Sequence, residues 1–147
     1  MNGRNIMIKI RFLTLGLGFF LITIGSGCKK AVDNAQENAL YEIITSNTWV
    51  VTKLEISGTN YKTDFDPYQF QFSRNGVVAA KKTGSTDING EWNLTLSNLS
   101  ILINYRNAGL PFSRTDGLWF ISGTTFTTVD ATRTEAGITY KLSIKAL

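Results

Sequence analysis

The chain of 147 residues contains no histidine, a single cysteine and only two prolines. Without histidine, nucleophilic mechanisms that use a histidine base are excluded, together with zinc sites built from histidine and cysteine. A lone cysteine, Cys28, cannot form an intrachain disulfide. These absences make an enzyme the least favoured class, and we predict no catalytic residues, no metal site and no cofactor.

Carboxylates are the remaining candidates for chemistry. The segment DFDPY places Asp64 and Asp66 two residues apart, a spacing that suits a calcium ligand pair or an acid and base. No further ligand-rich pattern follows them. We therefore favour an ordinary solvated turn before Pro67.

The excess of basic residues is concentrated near the N-terminus. The formal net charge is +4, from 15 Lys and Arg against 11 Asp and Glu, but Arg4, Lys9 and Arg11 supply three of those charges. Without them, 12 basic residues face 11 acidic ones, a net charge of +1. Nucleic-acid binding needs a concentrated basic face, so we predict no nucleic-acid partner.

The same three basic residues precede an uncharged, mostly apolar run from Phe12 to Gly25. This order is typical of a secretory signal, and the run is shorter than the roughly 20 residues of a membrane-spanning helix. The run ends in Gly25, Ser26 and Gly27, directly before Cys28. This stretch resembles the lipobox of bacterial lipoproteins, although the lipobox usually has Leu at the position of Gly25.

The resemblance implies that Cys28 is lipidated and becomes the mature N-terminus. The alternative is ordinary secretion with cleavage after Gly27, which leaves Cys28 as a free thiol. We predict a signal peptide over 1–27, a tether over 28–32 and one domain over 33–147. Lys29, rather than Asp, follows the cysteine. That residue favours anchoring in the outer membrane, on the periplasmic face, with surface exposure as the alternative.

The mature chain begins with one helix and continues with strands. Residues 33–46 have helical periodicity, with Leu40, Ile43 and Ile44 on one face. From Thr48 onward the apolar period is two, which predicts about eight short strands separated by Gly, Asn and Asp turns. The predicted strands are TWVVTKLEIS, YQFQFS, VVAAKK, GEWNLTL, LSILINY (with Leu99, Ile101 and Ile103 on one face), LWFIS, TFTTVD and ITYKLSIKA.

The absence of helix-length segments between these strands predicts an all-β antiparallel meander. Eight such strands can close into a barrel that leaves no unpaired edge. The interior of an eight-stranded barrel is filled by side chains or holds one small ligand. We predict that the N-terminal helix lies across one end or wall.

The segments TWVV, FQFSRNGVV, NGEWNLT and ITYKLSI together resemble the lipocalin-like domain of small Bacteroidetes lipoproteins. The resemblance covers nearly all of the mature chain and implies a pocket for an apolar or amphipathic molecule. The residues that could line it are aromatic. They are Trp49, Phe70, Phe72, Trp92, Trp119 and Tyr140.

The tryptophans could instead fill the barrel core, and we favour this interpretation over a stacking platform. Trp119 is the ambiguous one, because Leu118 and Phe120 beside it must face the opposite way. In the loop over residues 106–117, apolar Leu110 and Phe112 either contact a partner or fold back over the barrel mouth.

Our leading hypothesis is a lipid-anchored, non-enzymatic envelope protein whose barrel binds a small apolar or amphipathic ligand. The alternative is a solid barrel that holds or inhibits another envelope protein through Leu110 and Phe112. A cavity inside the barrel favours the first hypothesis, and a filled interior favours the second.

Overall fold

The computed structural model describes residues 38–147. The predicted signal peptide, Cys28, the tether and the first five residues of the predicted helix lie outside this range. Within it, helix α1 covers 38–46 and buries Leu40 and Ile44. The side-chain amide of Asn47 donates to the carbonyl of Ile43 at 2.9 Å, which satisfies one carbonyl of the last helical turn.

Nine antiparallel strands follow the helix, and the eight longer ones form a closed ring. From β3 to β8, each strand pairs with the next one along the chain. β1 closes the ring, because it pairs with β3 on one side and with β9 on the other. The two-residue β2 extends only the end of β1. The strands are β1 Thr48–Ile56, β2 Thr59–Asn60, β3 Gln69–Phe72, β4 Val77–Lys81, β5 Ile88–Thr95, β6 Ser100–Asn104, β7 Gly117–Thr124, β8 Thr128–Glu135 and β9 Ile138–Ala146.

This topology confirms the predicted all-β fold class, an up-and-down barrel of the kind that lipocalins have. The alternation of apolar and polar side chains explains it, because one face of each strand supplies the interior. In β5, for example, Trp92 and Leu94 are buried while Glu91 and Asn93 are exposed. None of the helices within residues 38–147 has the length and apolar character needed to span a bilayer.

The connections between the strands lie at two ends of the barrel, which we call the helix end and the loop end. At the helix end lie α1 and the turns 73–76, 96–99 and 125–127. At the loop end lie the segments 57–68, 82–87 and 105–116, with a tight turn at 136–137. The two longer loop-end connections each contain a short 3₁₀ turn, Lys62–Phe65 and Phe112–Arg114.

Two local predictions are wrong. Leu99, expected to share the inward face of Ile101 and Ile103, has φ of +48° and is 50% exposed, because it belongs to the turn before β6. The apolar alternation therefore continues past the point where the turn reverses the chain. The predicted strand TFTTVD, residues 125–130, begins three residues too early, because 125–127 form a turn and β8 runs from Thr128 to Glu135.

Candidate functional site

The barrel encloses an apolar cavity of about 40 Å³. Side chains from α1 and from β1, β3, β4, β6, β8 and β9 line it, so that almost every wall contributes. The lining residues are Ile44, Val51, Phe70, Phe72, Val78, Ile101, Ile103, Tyr105, Thr115, Val129, Leu142 and Ile144. The interior is thus largely filled, but it is not solid.

Two polar side chains interrupt this lining. The hydroxyl of Thr115 donates to the carbonyl of Phe112 at 2.7 Å, so it is satisfied locally. The hydroxyl of Tyr105 is buried and has no hydrogen-bond partner within the described residues. Burial, with the negative charge of Asp116 as a smaller cause, raises the pKa of the Tyr105 phenol. One lining residue, Tyr105, therefore carries a buried neutral hydroxyl that has no hydrogen-bond partner among the described residues.

Helix α1 closes one end of the barrel. The indole N–H of Trp49 donates to the carbonyl of Ile44 at 2.8 Å, and the Tyr41 ring packs on Trp92 with centroids 5.5 Å apart. On the surface, Glu42 forms an ion pair with Arg74 from the β3–β4 turn. These contacts fix Ile44 at the base of the cavity.

Aromatic rings close the loop end. Phe112 is 1% exposed and packs edge-on against Tyr68 and tilted against Tyr105, with both centroid distances 5.0 Å. Phe65 contacts Phe112 from the opposite loop at 6.2 Å. Arg114 joins the two loops, because it pairs with Asp64 and lies 4.1 Å over the Tyr61 ring. We call this arrangement the aromatic plug, defined by Phe65, Tyr68, Tyr105 and Phe112.

The structure assigns the six predicted lining residues to different environments. Phe70 and Phe72 line the cavity. Trp49, Trp92 and Trp119 are at most 4% exposed, and each indole N–H donates to a main-chain carbonyl. The tryptophans therefore fill the core, as favoured, and do not form a stacking platform. Tyr140 is half-buried.

The two candidate contact residues of the 106–117 loop lie in different environments. Phe112, considered as a surface contact, is buried in the aromatic plug, so the loop folds back over the barrel mouth. Leu110, two residues earlier, is 68% exposed and remains available at the surface. The candidate carboxylates form ion pairs, Asp64 with Arg114 and Asp66 with Lys62 at 2.5 Å. Residues 38–147 contain no cluster of side chains able to hold a metal ion.

The sequence analysis did not identify Arg133, whose side chain faces the barrel interior. The guanidinium carbon of Arg133 lies 3.9 Å from the Tyr140 ring centre and 5.1 Å from that of Trp119, and its Nη1 donates to the Asp116 carbonyl. The Arg133 side chain is only 10% exposed. Its position follows the inward alternation of Val129 and Ala131 in β8. That alternation is the signal that could have found it.

The chain matches no protein-family model and no curated protein. It is similar to the solved structure of a lipocalin-like protein from Bacteroides uniformis, with 14% identity, a TM-score of 0.48, and coverage of 71% of this chain and 99% of that one. An uncharacterized protein from Bacteroides eggerthii has 16% identity, a TM-score of 0.44, and coverage of 67% and 97%. At these identities, the fold assignment rests on the strand pairing itself.

Proposed function

We propose that the protein is a non-enzymatic lipoprotein of the cell envelope whose barrel binds a small apolar or amphipathic ligand. The observation that supports ligand binding most directly is the apolar cavity inside the barrel, which Tyr105 helps to line. A pocket with mostly apolar walls and few polar groups is the usual form of a small-molecule site.

The size of the cavity limits the ligand. An engineered apolar cavity that accepts benzene measures about 150 Å³, whereas this one measures about 40 Å³. Only a few non-hydrogen atoms fit between the walls as they stand. We therefore propose a narrow ligand, such as the end of an alkyl chain, which displaces part of the aromatic plug to enter at the loop end.

Cavity-filling variants test this proposal. Val78 is fully buried in the cavity wall, and its neighbour Val77 is half-buried on the outer face of the same strand. Titration of the full chain with short n-alkanols, followed by amide chemical shifts, should show saturable changes at cavity residues. Val78→Leu should weaken them and Val77→Leu should not. If wild type shows no saturable shifts, or if both variants behave alike, ligand binding in the cavity is refuted.

Lipid anchoring is the second part of the proposal, and it is supported by the basic and apolar segments before Cys28. We propose attachment to the outer membrane, on its periplasmic face. Metabolic acyl labelling of the native chain and of Cys28→Ser, followed by envelope fractionation, tests both points. Absence of label on the native chain would refute the anchor, and label in the inner-membrane fraction would refute the location.

A second candidate function is a protein-interaction module in the envelope. It is favoured by the small cavity and by Leu110, which stands exposed at the loop end. Pull-down from membranes with Leu110→Ser tests it, because that change leaves the aromatic plug intact. A partner retained equally by wild type and variant would exclude Leu110 as its contact.

A further inference from the structure

Exposed apolar side chains form a strip on one side of the barrel. Leu102 and Leu118 are register partners across β6 and β7, and Phe120 follows Leu118 on the same outer face. They are 45%, 41% and 46% exposed. Two further exposed apolar residues, Leu99 and, in the β7–β8 turn, Phe126, lie at the helix end of the same two strands. We call these five residues the apolar strip.

Phe126 is the most exposed large apolar residue in the described part of the chain, at 82%. Its main-chain carbonyl accepts a hydrogen bond from the Asn47 side chain at 3.4 Å, just after α1. The tip of the strip therefore lies beside the segment through which the N-terminal chain joins the barrel. Single exposed apolar residues are ordinary, but five on two neighbouring strands and their helix-end turns need a separate explanation.

The direct register partners of Leu102 and Phe120 carry no charge, whereas Asp130, nearer the helix end, lies opposite Gly123. Asn93 lies opposite Leu102, and Thr132 lies opposite Phe120. Placing this wall against a membrane interface therefore desolvates no ionised group in those positions. The charged pair on the neighbouring wall, Glu91 with Arg106, lies toward the loop end.

The reach of the tether sets the distance to a bilayer. Ten residue steps separate Cys28 from residue 38, and an extended chain spans at most about 3.6 Å per residue, or roughly 36 Å. A barrel attached through Cys28 is thus held within about its own diameter of the lipid surface. An apolar strip at the attached end encounters that surface at high effective concentration.

From these observations we propose that the apolar strip is a membrane-contact surface, with Phe126 inserted among the lipids of the bilayer that holds the Cys28 anchor. The inference rests on the proposed lipid anchoring. A single acyl chain gives only marginal attachment, and a second apolar contact strengthens it. The contact also orients the barrel, with the helix end toward the membrane and the loop end away from it.

Brominated lipids quench tryptophan fluorescence at short range and provide the test. The acylated full chain is reconstituted into phosphatidylethanolamine vesicles with brominated acyl chains. Phe126→Trp is compared with the matched control Leu110→Trp, which places the same probe at the loop end. The three native tryptophans are buried and give a common background. We expect severalfold stronger quenching for Phe126→Trp, with a blue-shifted emission.

The outcomes separate the inference from the anchoring on which it rests. If the chain is acylated but Phe126→Trp is quenched no more than Leu110→Trp, the membrane contact is refuted and the anchor stands. If the chain carries no acyl label, the anchor itself is refuted. A blue shift without vesicles, together with a doubled mass in sedimentation, would assign the strip to a second copy of the chain and overturn the inference.

Partitioning gives an independent measure. In the Cys28→Ser chain, Phe126→Ser should lower the vesicle partition coefficient by about tenfold, the effect expected from losing one buried aromatic side chain. Leu110→Ser should leave the coefficient unchanged. Equal effects of the two substitutions would contradict the proposed orientation.

Discussion

Substitution of Tyr105 by Phe should stabilise the protein, which is an unusual outcome for a buried residue. The Tyr105 ring is 1% exposed, and its hydroxyl has no partner within the described residues. Leaving a buried hydroxyl unpaired costs about 1–3 kcal/mol. Tyr105→Phe keeps the ring contacts with Phe112 and removes only that cost. We expect a gain of about 1 kcal/mol in the free energy of unfolding at pH 8, or a rise of about 4 °C in Tm.

The pH dependence gives the same prediction a second test. An unfolded tyrosine has a pKa near 10, and burial raises the pKa of Tyr105 above it in the folded state. Below pH 10 both states are protonated and the contribution of Tyr105 is constant. Above pH 10 the unfolded chain releases a proton that the folded chain retains, so stability falls. The wild type should therefore lose about 1.4 kcal/mol relative to Tyr105→Phe by pH 11.

Urea unfolding followed by the fluorescence of the buried tryptophans measures both effects, at pH 8 and at pH 11. Tyr68→Phe is the control, because Tyr68 packs on the same Phe112 ring but is half-buried. A destabilised Tyr105→Phe at pH 8 would show that the hydroxyl has a partner such as a bound water. A stability difference that does not grow between pH 8 and pH 11 would refute the raised pKa.

Three further predictions concern the loop end and the wall of the barrel. Phe112→Ala should lower the free energy of unfolding by about 3–5 kcal/mol, because it removes one ring of the aromatic plug. Urea unfolding measures this loss, with Leu110→Ala as a control that should lower the free energy of unfolding only slightly. Gly90→Ala should destabilise by about 1–3 kcal/mol, since an added Cβ lies 2.8 Å from the Tyr105 ring and 2.9 Å from the Asn104 carbonyl; an unchanged Tm would contradict this. Asp64→Asn should change stability by less than about 1 kcal/mol, because the ion pair with Arg114 is partly exposed; a larger loss in a double-mutant cycle would show that the pair holds the loops together.

The barrel could be predicted from the sequence because its signal is repeated. Each long strand alternates large apolar residues with polar ones, and the boundaries of β1 and β9 agree with the prediction to within one residue. The prediction failed where alternation continues without a strand, as at Leu99, whose positive φ belongs to a turn. Alternation reports which side chains share a face, but it does not report where the chain reverses.

The candidate site was less predictable, because it depends on how different strands meet. Six aromatic residues were candidates for the lining, yet only Phe70 and Phe72 among them line the cavity. The cavity volume is the small difference between the volume inside the barrel and the summed volume of the side chains that fill it. No single strand determines that difference. The alternation of β8 places Arg133 inward, but its contacts with the Trp119 and Tyr140 rings depend likewise on β7 and β9.

The two proposed roles of the barrel belong to different ends: ligand entry to the loop end and membrane contact to the helix end. At the loop end, ion pairs surround the aromatic plug, including Asp64 with Arg114 and Glu91 with Arg106. The helix end also carries one exposed ion pair, Glu42 with Arg74, but Leu99 and Phe126 expose apolar side chains there. A charged rim is stable in water, and an apolar tip is stable at a lipid surface. With the helix end at the membrane, the plug faces the aqueous compartment, so a ligand would enter the barrel from water and not from the bilayer.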